Sequence, residues 1–185
     1  MVLHVHSDAS YLSAYRARSR VGEHFFPSNK ISEGQHIRHN GAILVIAAIL
    51  KNVMASAAEA DLGGLFLNGK ESVDSRERLR EMGHPQNEPT PIQIDNSIAM
   101  GIANNTMKQR RPKAMDMRFH WVRDRTTQKH IIVYWRPGDT NIAYYHKLFH
   151  SPAHHQKQRP LHVHTDDSPK YIPKTQRLGL RGCVN

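Results

Sequence analysis

Three acids stand where an α/β chain can do chemistry. Asp8 closes the first strand-like segment in HSDAS, Glu59 lies in the first turn of a helix in SAAEAD, and Asp95 ends a short strand in QIDNS. An acid at the carboxyl end of a strand, where a helix begins, sits at the open rim of a sheet, where such folds place ligands and metals. If the first and fourth strands lie side by side, their ends face the start of the first helix. Three carboxylates meeting there repel one another unless cations bind between them. Hard oxygen ligands of this kind suit magnesium or manganese, and two such ions can drive phosphodiester hydrolysis. Each acid also has a plainer role. Glu59 completes the capping box Ser56-x-x-Glu59, and Asp8 can close an Asx turn.

The elements that must position these acids follow from periodicity. Val2 to Ser7 alternates, with Leu3 and Val5 on one face and His4, His6 and Asp8 on the other. Val21 to Phe26 reads as a second strand. Ala42 to Leu50 is a continuous apolar run, the pattern of a central strand buried on both faces. Ser56 opens a helix with Leu62, Leu65 and Phe66 on one stripe, and Asp74 to Met82 reads as a separate charged helix stopped by Gly83. Ile92 to Ile94 is a strand, followed by a helix carrying Ile98, Ala99, Ile102 and Ala103. A helix with Met115, Phe119 and Val122 inward comes next, then a strand over His130 to Trp135. A final helix spans Thr140 to His150, with Ile142, Tyr145 and Phe149 inward. The order predicts an α/β chain: a mixed five-stranded sheet with helices on both faces. It occupies residues 1–150, followed by a basic His/Pro-rich tail at 151–185 without periodicity.

The chain has 185 residues and a formal charge of +10, which favours a polyanionic partner. Lys108, Arg110, Arg111, Lys113 and Arg118, with Arg123 and Arg125 beyond them, are the expected phosphate contacts. Trp121 fits the core better than a stacking platform. The single Cys183 excludes an internal disulfide and a cysteine-based zinc site. The longest apolar run is too short to span a membrane, and the N-terminus has no signal-peptide pattern, so an intracellular chain is expected. Two segments echo one another: LHVHSDAS at Leu3 to Ser10 and LHVHTDDS at Leu161 to Ser168. Each His-x-His pair puts two imidazoles on one strand face, an arrangement open to zinc or copper, but no third ligand follows at fixed spacing.

Five stretches in order, HSDAS, SAAEADL, DNSIAMGIANN, RPKAMDMRFHWVRD and IVYWRPGDTNIA, resemble the ribonuclease H domain of copia-type LTR retrotransposon polyproteins over about residues 2–150. The resemblance implies a ribonuclease H-like fold that cleaves the RNA strand of RNA–DNA hybrids with two divalent ions. It matches Asp8, Glu59 and Asp95 to the family's acids. It also implies a fourth acid after the Ile142-Ala143 pair, where this chain has Tyr144, and a Thr-Lys pair where Lys147 and Leu148 stand. A protonated phenol is a poor magnesium ligand, so one metal should be held weakly. Asp139 or His146 are the nearby substitutes. The loop from Pro137 to Asn141 lacks the mobile histidine of cellular ribonucleases H. Two readings stand: a metal-dependent nuclease, active or impaired, or a catalytically silent nucleic-acid-binding module. In either case the chain reads as a piece or remnant of a larger retroelement polyprotein.

Overall fold

The computed structural model describes residues 1–30, 37, 39, 41–107 and 117–162. Five strands form one sheet: β1 (Val2–Ala14), β2 (Arg18–Ser28), β3 (Leu44–Ile49), β4 (Thr90–Ile94) and β5 (Ile131–Trp135). Their order is β3-β2-β1-β4-β5, with β1, β2 and β3 antiparallel and β1, β4 and β5 parallel. The helices are α1 (Ala57–Glu81), α2 (Ser97–Ala103), α3 (Met117–Thr127), α4 (Tyr144–Lys147) and α5 (Pro152–His162).

The alternation along β1 divides the two layers. Leu3 and Val5 face the main core, where they join Phe25, Leu62, Leu65, Ile92, Val122 and Val133 beneath α1, α2 and α3. His4, His6 and Asp8 have the opposite parity and are also buried. On that second face Phe26, Tyr134 and Ile142 form a smaller cluster, against which Leu161 of α5 packs. Helices thus cover both faces of a mixed sheet, as expected.

Four local expectations are corrected. Ala42 to Leu50 does not make a central strand: β3 is the sheet edge, and its residues alternate between half-buried and exposed. An apolar run alone cannot distinguish these cases, because pairing on one side suffices for an antiparallel edge. The two helices expected between Ser56 and Met82 are one 25-residue helix. Asp74 is an ordinary interior residue of it, since the buried face continues unbroken through Asn68, Gly69, Ser72 and Ser75. The last helix of the domain is short. Gly138–Thr140 forms a 3-10 turn, α4 has four residues, and Phe149 is exposed rather than inward. Finally, the stretch after Ser151 is not irregular throughout. Pro152–His162 is helical, held by Leu161 on the second core and by Tyr145, whose hydroxyl lies 2.6 Å from His155 Nδ1. The rest of the tail, 163–185, and the basic run at Lys108, Arg110, Arg111 and Lys113 lie outside the described residues. Trp121 packs on the main core with its ring edge against Phe66, as read from the sequence.

Close approach to α4 requires Gly22 in β2. A Cβ there would strike the Ala143 carbonyl oxygen and lie 3.0 Å from the Lys147 nitrogen. Gly22→Ala should therefore displace α4 and lower stability by about 1–3 kcal/mol, the usual cost of forcing extra volume into a packed contact. Urea denaturation checks this; an unchanged midpoint would show that α4 is not seated on β2.

Candidate metal centre

The parallel pairing of β1 with β4 matches His6 to Gln93. Two residues further along stand Asp8, in the middle of β1, and Asp95, just past the end of β4, so the parallel register sets the two acids side by side; the first strand, expected to close at Asp8, runs on to Ala14. The third acid is Asp61, from the second turn of α1. One carboxylate oxygen from each of Asp8, Asp61 and Asp95 lies within 4.8 Å of the others.

Glu59 does not join them, which corrects the sequence expectation. Its carboxylate turns back to accept the Ala55 N–H at 2.8 Å, while its own N–H donates to Ser56 Oγ. This is a capping box whose return bond goes to Ala55, one residue before the Ser56 cap, and it commits the Glu59 side chain to the helix start. Asp61 comes two residues later, about 200° around the helix, one turn before buried Leu65 and on the side facing the sheet. The signal was present in the sequence: a capping glutamate is already occupied, and the next acid in SAAEADL is free to act.

The surrounding residues hold the three acids in place. The Asn96 Nδ2 donates to Asp61 Oδ2 at 2.8 Å, while its Oδ1 caps α2 by accepting from the Ile98 and Ala99 N–H groups. The Ala9 N–H donates to Asp61 Oδ1 at 3.2 Å. Trp135 Nε1 donates to the Asp95 carbonyl at 2.9 Å. A Cβ at Gly138 would fall 2.9 Å from Asp95 Oδ2, so glycine there leaves room for the carboxylate. Asn141 Nδ2 donates to the Ser7 carbonyl, tying the turn before α4 to the middle of β1.

Lys147, a residue the sequence reading placed in an altered motif without a role, enters the centre. Its Nζ donates to Asp8 Oδ1 at 2.6 Å and to the Ala9 carbonyl at 3.3 Å. Tyr144, one turn earlier, lies with its ring 5.0 Å from the same ammonium. Tyr144, Asp139 and Lys147 line an open cleft of about 500 Å³ into which Asp95 faces. His146, considered as a stand-in ligand, turns away instead, toward His24. Of the expected phosphate contacts, Arg118 is half-buried at the start of α3. Arg123 donates to the Ile102 carbonyl, and the Arg125 guanidinium lies over the Trp121 ring, so both have structural partners.

The electrostatics fit a divalent cation. Burial pushes the Asp8 carboxyl up to about 6, against the opposing pull of Lys147. Burial likewise pushes Asp61 up to about 7, opposed by the Asn96 hydrogen bond and reinforced by Asp95 and Asp8. Asp8 Oδ2 is buried without a hydrogen-bond partner. Three carboxylates against one ammonium leave an excess of negative charge, and an unpartnered buried oxygen faces it. Oxygen donors in that balance suit magnesium or manganese.

No protein-family model matches the chain. An 84-residue stretch, 45% of the chain, is 32% identical to a retrovirus-related Pol polyprotein from the transposon TNT 1-94 of Nicotiana tabacum, and it spans only 6% of that polyprotein. Among solved structures, an LC11 RNase H1 isolated from compost aligns over 76% of this chain and 87% of its own, at TM-score 0.54 and 9% identity. The N-terminal RNase H domain of a Mycobacterium tuberculosis protein aligns over 75% and 84%, at 0.53 and 11%. The LC11 enzyme in complex with an RNA/DNA hybrid aligns over 76% and 88%, at 0.50 and 10%. The chain has the ribonuclease H-like fold, and its resemblance to a retrotransposon polyprotein holds.

Both raised carboxyl groups retain protons in the folded chain where the unfolded chain has lost them. Metal-free stability should therefore fall as pH rises from about 4 through about 7. Asp61→Asn should flatten that fall. Above pH 7 it should stabilise the metal-free chain by about 1 kcal/mol, part of the full shift being lost with the Asn96 contact. Denaturation curves in chelator at pH 4, 6 and 8 measure this; an identical pH slope in the variant refutes it.

Proposed function

We propose that this chain is a retrotransposon-derived ribonuclease H-like domain that cleaves the RNA strand of RNA–DNA hybrids with divalent metal, at a reduced rate. The observation that carries the reading is the convergence of Asp8, Asp61 and Asp95 within 4.8 Å at one sheet rim. The fold, the polyprotein likeness and the hybrid bound by a structural neighbour support it. In this reading residues 1–150 are the domain, and the net charge of +10 favours the nucleic-acid backbone.

Asp8, Asp61 and Asp95 are the residues that would hold magnesium or manganese. Bound there, a pair of such ions supplies an activated water and stabilises the leaving oxygen of a phosphodiester. Asp95, half-exposed, faces the open cleft where a backbone phosphate can enter. Asp61 is oriented by Asn96, which is itself fixed as the cap of α2. Lys147 neutralises Asp8 and, with Tyr144 beside it, occupies the side of the centre where a fourth acid is expected. An ammonium on one of three acids lowers the charge available to a second ion, so metal occupancy is weakened on that side.

The same contact favours the second reading, a silent nucleic-acid-binding module. A lysine on Asp8 supplies internally part of the positive charge that a metal would bring.

Cleavage of a labelled RNA–DNA hybrid, first in magnesium and then in manganese, separates the two. The nuclease reading expects slow cleavage, faster in manganese, that falls at least about 100-fold in Asp95→Asn and in Asp61→Asn (about 2.7 kcal/mol of barrier). Glu59→Gln should keep most of the activity, and Tyr144→Asp should raise it. Binding of hybrid with no cleavage in either metal would establish the silent module.

A further inference from the structure

Beyond the acidic centre, one other group of metal-ligating side chains gathers among the described residues. His24 of β2, His146 of α4 and His162 of α5 each place a ring nitrogen within 4.8 Å of the other two. These are three separate elements, and the last is the helix that the sequence alone left irregular. His162 belongs to the second His-x-His segment, LHVHTDDS.

The rings of this cluster also contact Phe26 and Tyr145, and the spacing of their nitrogens is that of metal ligands. His24 Nδ1 and His146 Nε2 are 3.3 Å apart, and the rings of those two residues are stacked 12° from parallel. A nitrogen–nitrogen separation of about 3.3 Å is the edge of a tetrahedron with zinc–nitrogen bonds of about 2.0–2.1 Å. His162 meets both rings edge-on, at centroid distances of 5.3 Å and 5.1 Å. Its Nε2 is buried and makes no hydrogen bond. The group holds nitrogen donors alone, which suit zinc and its neighbours in the transition series rather than the hard cations of the acidic centre.

We propose that His24, His146 and His162 form a nitrogen-ligand site for a zinc-like transition-metal ion, which clasps α4 and α5 onto β2. Three protein ligands leave a fourth position for water. His146 and Lys147 are consecutive, one turned to the histidines and the other to Asp8. The clasp therefore also fixes the segment that carries Tyr144 and Lys147 at the acidic centre. The first His-x-His pair does not take part: His4 Nε2 lies 2.7 Å from the Asn29 carbonyl, and His6 Nδ1 accepts from the Ile142 N–H.

The test uses the full chain, stripped with chelator, and zinc alone as the probe. Wild type should retain one zinc per chain through gel filtration and melt at higher temperature with zinc than without. His146→Gln and His162→Gln should each weaken zinc at least tenfold and abolish the zinc-dependent rise. Both should keep the wild-type far-UV circular dichroism, since neither side chain lies in the main core. His120→Gln, on an exposed position of α3, and Asp95→Asn should bind zinc like wild type. Cobalt in place of zinc should give the intense visible absorption of a four-coordinate nitrogen site, lost in His162→Gln. Equal zinc affinity in wild type, His146→Gln and His162→Gln would overturn the proposal. So would loss of zinc in Asp95→Asn alone, which would assign the ion to the acidic centre.

Discussion

Mutual repulsion of three carboxylates in a partly desolvated rim is the constraint around which this end of the molecule is built. Asp8 is almost fully buried, Asp61 nearly so, and both have carboxyl groups pushed upward by that burial. Such an arrangement is unfavourable on its own and persists because the surrounding fold determines it. The parallel β1–β4 register puts Asp8 beside Asp95 regardless of charge, and the start of α1 delivers Asp61. Backbone and side-chain donors then meet what oxygens they can. Among the described residues Lys147 supplies the one full positive charge at hydrogen-bond distance, and Asp8 Oδ2 is left without a partner. A centre with that residual imbalance is a place for cations.

The layering follows from the same strand alternation. One face of β1 gives Leu3 and Val5 to the main core, where α1 and α3 cover it. The other gives His4, His6 and Asp8 to a second, polar layer beneath α4 and α5. The buried imidazoles of His4, His6 and His24 all have a place near Phe26. His4 stacks on Phe26 and His6 meets it edge-on, and His24, His146 and His162 converge where β2, α4 and α5 meet. The acidic and histidine centres thus sit on either side of one short segment, Tyr144–Lys147, whose close seating depends on Gly22.

Much of this was readable from residue order. The positions of the five strands, though not the ends of β1 and β2, and the core position of Trp121 followed from alternation and helical spacing, because these patterns report which residues are covered. Asp8 and Asp95 were legible as acids on the polar parity of alternating stretches, although β1 runs on past Asp8 to Ala14. Glu59 was read both as the capping-box acid and as a member of the acidic group, and the structure gives its side chain the first role. The edge position of β3 was illegible because an apolar run does not say how many neighbours it has. The short α4 and the helical Pro152–His162 were missed because contacts from distant strands, not local periodicity, hold them.

The sequence by itself determined the ribonuclease H-like order of elements, the basic charge, two of the three clustered acids and the replacement of an expected acid by Tyr144. These are properties of local pattern and composition, which survive without knowledge of packing. Only the tertiary structure decided that Asp61 completes the acidic group, that Lys147 lies on Asp8, and that His24, His146 and His162 meet. Each of these joins residues from separate elements, in the case of Lys147 and Asp8 139 positions apart. Their meeting depends on the rotation of α1 about its axis and on the seating of α4 and α5 against β2, and no spacing along the chain encodes either one directly.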